Sequence, residues 1–109
     1  MNENRIWALS EIYSGESTRI VNGLLSLAFY DDDYEFVENL CIEYSNHFDD
    51  RVRGLAILCF GHLARIHGKL HIDRVAPIVK GALKDKSEYV RGQAICAKDD
   101  INFFLKIEI

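Results

Sequence analysis

Basic side chains are scarce in the first half of this chain, and proline is nearly absent throughout it. Residues 1–50 carry two bases, Arg5 and Arg19, against eleven acids, a net charge of −9. Residues 51–109 carry eleven bases against six acids, a net charge of +5. The overall charge of −4 conceals this division, which bears on partners and association and not on fold. Arg51, Arg53, Arg65, Lys69, Arg74, Lys80, Lys84, Lys86 and Arg91 gather in the second half. With an isoelectric point near 5.5 the whole chain is nonetheless a poor electrostatic footprint for a nucleic acid. A single proline, with 28% charged and 49% hydrophobic residues, excludes a disordered proline-rich chain and is compatible with a real core. No apolar run reaches the length of a membrane span. The opening Met1-Asn2-Glu3-Asn4 lacks the basic stretch of a secretory signal, so a cytoplasmic protein that does not use a membrane is expected.

Groupings that carry chemistry are missing as well. Three cysteines, Cys41, Cys59 and Cys96, form no close pair and each falls in an apolar helical stretch, so buried, reduced thiols are expected. His62, His67 and His71 lie close in sequence, but Gly68 separates them and no carboxylate or cysteine completes a ligand spacing. There is no nucleophile elbow and no glycine-rich phosphate loop. The carboxylates Asp31, Asp32, Asp33, Glu35 and Glu38 are dense but lack the spacing of a calcium loop. The expectation is therefore a protein without catalytic residues, metal, cofactor or small-molecule substrate.

What the chain does have is helical periodicity. Apolar residues at three- and four-residue spacing predict helices over about Glu3–Tyr13, from Ser17 as cap to Tyr30, Tyr34–Ser45, from after Asp49-Asp50 to Ile66, Asp73–Lys84, and from Ser87 or Glu88 to Lys98. Asp99 or Asp100 is placed to cap a last short helix through Leu105, after which Lys106 to Ile109 alternate and could be extended. Asp31-Asp32-Asp33 ends one helix and caps the next, and acids in a first turn are favoured by the helix dipole. The fourth segment is apolar nearly all round, the mark of a central buried helix.

The chain also repeats itself. Val52-Arg53-Gly54 returns 38 residues later as Val90-Arg91-Gly92, and at the same offset Val37 matches Val75, Ala56-Ile57 matches Ala94-Ile95, and Leu63 matches Ile101. A period near forty with two helices per unit belongs to helical solenoids. The run from Pro77 to Ala94 resembles a HEAT repeat, with a proline in the first helix, Leu83-Lys84-Asp85 at the turn, and Val90-Arg91-x-x-Ala94 opening the second helix. Residues 50–64 look like the second helix of an earlier unit, in which His47 stands at the turn-aspartate position. The resemblance implies an all-α fold: one HEAT-like α-α superhelix over 1–109, of about three antiparallel helix pairs. These are a degenerate pair at 1–33, a repeat at 34–70, and a repeat with a C-terminal segment at 71–109. Ala56 and Ala94 are expected at close helix contacts, and Arg53 and Arg91 in a ladder with turn carboxylates such as Asp85 and Asp49.

A short solenoid without a catalytic constellation is expected to work by binding one protein. In size, charge and helical build the chain is similar to bacterial immunity proteins, a likeness of type and not of motif. It implies an inhibitor that occludes the active site of a cognate toxin, and a nuclease would present a basic cleft to it. The expected contact residues are Tyr30, Asp31, Asp32, Asp33, Tyr34, Glu35 and Glu38, the tyrosines as aromatic anchors. An adaptor or regulatory subunit that binds another cytoplasmic protein is the alternative.

Overall fold

The structure, a computed structural model, describes residues 2–109. Six helices follow one another: α1 Glu3–Ile12, α2 Ser17–Tyr30, α3 Tyr34–Tyr44, α4 Asp50–His67, α5 Ile72–Ala82 and α6 Glu88–Leu105. There is no strand among the described residues. The starts are written in local side chains. Asn2 accepts the Arg5 N–H, Asp33 that of Phe36, Asp49 that of Arg51 and Ser87 that of Val90. Ser17 proves to be the first helical residue and not the cap; Glu16 holds that place without a side-chain bond. Gly68 closes α4 in the left-handed conformation (φ 65°), where a side chain would be strained.

One boundary differs from the sequence reading. α6 does not stop at Lys98 but runs unbroken to Leu105. Nothing in Lys98-Asp99-Asp100 breaks a helix, and Val90, Ala94, Ala97 and Ile101 keep one buried stripe along its whole length. The helix ends where Lys106 turns left-handed (φ 56°) and donates its N–H to the Asn102 carbonyl. The tail then folds back, with the Ile109 N–H bonded to Asn102 Oδ1.

α4 lies at the centre, with α2 on one side, α6 on the other, and α3 and α5 packed against it; α1 covers α2. Ten of its residues are buried, including Ile57 and Ala64 on the side away from the main stripe. The first turns of α2, α4 and α6 meet at one end, where Ser17, Thr18, Val21, Arg51 and Tyr89 line a groove of about 300 Å³. Contact is most extensive between α4 and α6. A Cβ on Gly54 would lie 2.6 Å from the Tyr89 ring, and one on Gly61 would lie 3.3 Å from the Ala97 Cα. Ala56 and Ala94 are wholly buried near this seam. Cys41 and Cys59 are buried as expected, but Cys96 is exposed, because it lies off the buried stripe of α6; all three are free.

The ladder of arginines is present in part. Arg53 donates from Nε and Nη2 to both oxygens of Asp85, at 2.8 and 2.9 Å, and from Nη1 to the His47 carbonyl at 3.0 Å. Asp49 is not available to a ladder, since Arg51 binds it at 3.0 Å. Arg91 donates Nη1 to the Asp85 carbonyl at 2.8 Å and meets no carboxylate among the described residues. His47 does the local work of the turn aspartate, its Nδ1 accepting the Asp49 N–H at 3.0 Å as Asp85 accepts that of Ser87.

The two glycines of the repeated tripeptide therefore sit in different surroundings. Gly54 is covered by Tyr89, whereas nothing lies within 4 Å of a Cβ on Gly92. Gly54→Ala is expected to destabilise, while Gly92→Ala should stabilise by up to about 1 kcal/mol through helix propensity. Urea unfolding of the two variants beside the parent checks this. Equal shifts for both would contradict the packing of α4 on α6.

Candidate protein-binding surface

The seven residues singled out from sequence lie where α2 passes into α3, and the structure divides them. Asp31 is 3% exposed. Both its oxygens accept from Arg5, at 2.6 and 2.8 Å, and Oδ1 also accepts the Asp33 N–H. The Arg5 guanidinium in turn lies 4.1 Å from the centre of the Phe36 ring, a cation–π contact. This bidentate pair ties α1 to the α2–α3 turn and holds the Asp31 carboxyl below its ordinary range. Glu38 is fully buried. It accepts the backbone N–H and, when ionised, the Nδ1–H of His71, both at 2.7 Å, with Arg74 3.8 Å away. Asp31 and Glu38 are thus turned into the fold and not toward solvent: desolvation would be ruinous for either carboxylate alone, and the fold answers it with internal donors.

The other five remain near or at the surface. Tyr30 is 73% exposed. Asp32 and Asp33 are exposed, Asp33 while capping α3. Glu35 is exposed too, with its Oε2 3.5 Å from His71 Nε2. Tyr34 is half-buried, its ring centroid 6.0 Å from those of both His67 and His71. Two of the three clustered histidines are thus aromatic neighbours of one tyrosine. The third, His62, packs at a tilt against Phe29, with ring centroids 4.8 Å apart, and burial, with help from Arg65, pushes its pKa down. No group of three metal-binding side chains occurs among the described residues.

His62 belongs to a patch that the sequence reading did not pick out. Phe29 meets Tyr30 edge-on at 6.3 Å, and the Arg65 guanidinium sits 6.0 Å from the Phe29 ring. Ile66 is exposed on the same stretch of α4. An aromatic centre of Phe29 and Tyr30 with an arginine beside it has the composition of an interface hot spot. Asp32, Asp33 and Glu35 follow directly in the chain and supply acidic charge. The available signal was the helical period itself, which puts Phe29 and Arg65 off the buried stripes of α2 and α4.

No protein family and no curated protein matches the chain. Among solved structures, it is similar to a chain of a CDI complex from Cupriavidus taiwanensis LMG 19424. The likeness has a TM-score of 0.79 at 27% sequence identity and spans 95% of this chain and 90% of that one. No described helix is long and apolar enough to cross a membrane.

Two measurements check the division between buried and exposed carboxylates. Glu38→Ala leaves the His71 donors without a buried acceptor and is expected to cost about 3 kcal/mol, whereas Asp32→Ala should stay within about 0.5 kcal/mol of the parent. Denaturant unfolding reads both, and comparable losses would refute the assignment of Glu38 as structural.

Acid titration gives the second. Asp31 is held below its ordinary range by Arg5, Asp85 by Arg53 and Asp49 by Arg51. On unfolding they return to about 3.9, so below that value the unfolded chain binds more protons than the folded one. Their contribution is complete above the unfolded value and is lost as pH falls through the folded values. The urea midpoint should drop as pH goes below about 4. Asp31→Asn and Asp85→Asn should be weaker at neutral pH but lose less on acidification.

Proposed function

We propose that this protein is the immunity member of a contact-dependent inhibition pair, a cytoplasmic, non-enzymatic binder that neutralises one cognate toxin by covering its active site. The observation that carries this reading is the likeness, over nearly the whole chain, to a chain of a CDI complex. Systems of this kind pair a toxin with a protein that protects the producing cell. The helix pairs, read as HEAT-type repeats, serve as a rigid frame for the contact surface. That surface is the α2–α3 corner: Phe29 and Tyr30 as apolar anchors, with Asp32, Asp33 and Glu35 as the acidic component. A toxin that acts on nucleic acid has a basic cleft because its substrate is a polyanion. An acidic face steers association with such a cleft and then denies it to the substrate.

The test takes the toxin domain from the open reading frame directly upstream, where this reading expects one to be encoded. The two proteins should form a tight one-to-one complex, and co-expression should rescue growth. Association should slow with rising salt, since charges are screened over about 8 Å at physiological ionic strength. The double reversal Asp32→Lys with Glu35→Lys should lower the association rate by about tenfold or more at low salt. Reversal of Lys84 and Lys86 should matter much less. If the lysine reversals abolish binding and the acidic ones do not, the proposed surface is wrong. If the toxin does not bind, or the purified protein itself cleaves nucleic acid, the immunity reading fails.

A further inference from the structure

The 38-residue repeat makes it possible to ask what each unit does for the next. α4 receives the pair α5–α6 by three contacts in its first turns. Arg53 grips the Asp85 carboxylate with two nitrogens, Asp50 Oδ2 accepts the Ser87 hydroxyl at 2.7 Å, and the Tyr89 ring lies on bare Gly54. Moved by one period, the receiving residues become Arg91, Glu88 and Gly92 on α6. All three are present and none is engaged in the equivalent way. Arg91 keeps the anchoring bond of Arg53, from Nη1 to the carbonyl one period on, at 2.8 Å against 3.0 Å. Its other nitrogens, which in Arg53 hold an aspartate, have no carboxylate among the described residues. Glu88 is exposed and nothing lies within 4 Å of a Cβ on Gly92. Glu88 and Gly92, with Tyr89, Gln93 and Cys96, line an open depression of about 580 Å³.

We infer that this outer side of α6 is a second docking surface, which receives a turn-and-helix segment of the bound toxin with a carboxylate for Arg91 and an aromatic ring for Gly92. The inference rests on the immunity reading for the identity of the occupant. Its chemistry comes from this chain's own Asp85-x-Ser87-x-Tyr89, which fills the corresponding place on α4. A second copy cannot supply that segment, because in every copy Asp85, Ser87 and Tyr89 already face α4. Close approach is confined to the first half of α6. Gly61, which lets α6 come near the middle of α4, has Asp99 as its counterpart, so an occupant must diverge there. Beyond the divergence Phe103, 73% exposed, offers it an apolar contact. This surface lies at the N-terminal end of α6, away from the C-terminal end of α2 where Tyr30 sits, and it asks for an acid where the α2–α3 corner asks for bases.

Cys96 supplies a direct probe, since it lines the depression while Cys41 and Cys59 are buried. The native protein is alkylated with iodoacetamide alone and with saturating toxin domain, and modification of Cys96 is followed by mass spectrometry. Saturating toxin should slow the reaction. Arg91→Glu and Gly92→Leu should each weaken toxin affinity by about tenfold or more. Both variants should keep the circular dichroism of the parent, Gly92→Leu with an unfolding midpoint no lower than the parent's and Arg91→Glu with one slightly lowered by loss of its bond to the Asp85 carbonyl. If the toxin binds but Cys96 reacts at the free rate and both variants bind like the parent, the inference is overturned and the immunity reading stands. If the toxin does not bind the parent, the reading falls and the inference with it. Protection of Cys96 in the protein alone, rising with concentration as it sediments as a dimer, would make a second copy the occupant and would equally overturn the proposal.

Discussion

The burial of α4 governs how the other helices are placed. Ten of its eighteen residues are withdrawn from water, and no single neighbour could cover them. α2 and α6 take its two sides, α3 and α5 pack against the remainder, and α1 is added over α2. A helix with apolar residues on nearly every side costs most when left bare, and that cost sets the arrangement before any polar contact is made. The glycines then refine it: without Cβ atoms at Gly54 and Gly61, α6 comes close enough for Tyr89 and Ala97 to lie against the backbone of α4.

Charge is distributed within that frame according to what burial leaves over. The strongly acidic first half is less acidic at its surface than its composition says, since Asp31 is taken by Arg5, Glu11 by Arg19 and Asp49 by Arg51, and Glu38 is enclosed by His71. Of the carboxylates that remain in water, Asp32, Asp33 and Glu35 lie together at one corner beside exposed Tyr30 and Phe29. That grouping gives the corner its suitability for a basic partner. A run of acids in sequence is a mixed population in three dimensions, some members structural and some open to solvent.

Much of the fold was legible because its signals are local. Stripes at helical spacing, caps at Asp33, Asp49 and Ser87, and the repeat of Val-Arg-Gly each depend on residues close in the chain. The end of α6 was misread because two aspartates that resemble a cap are equally at home in a helix whose other face is buried. The candidate surface was legible only in part. Tyr30, Asp32 and Glu35 could be chosen from composition. The loss of Asp31 and Glu38 to the interior depends on Arg5 and His71, 26 and 33 residues away, and no local pattern announces such pairings. Phe29, His62 and Arg65 were missed for the same reason, since their grouping exists only after α2 is laid against α4.

The placement of α2 and α6 on opposite sides of α4 has a thermodynamic consequence. The three helix pairs behave as a short row of units coupled to their nearest neighbours. The middle unit has two such couplings and each outer unit has one, so local opening begins at the ends and reaches the centre last. The α5–α6 unit leans on the rest through the α4 seam, the rung between Arg53 and Asp85, and the bonds of His71 to Glu38 and of Arg74 to Asn39. A protein that clasps the outer side of α6 would give this unit a second coupling. Its amides would then exchange as slowly as those of the middle, and the row would gain rigidity along its whole length from a contact made at one extremity.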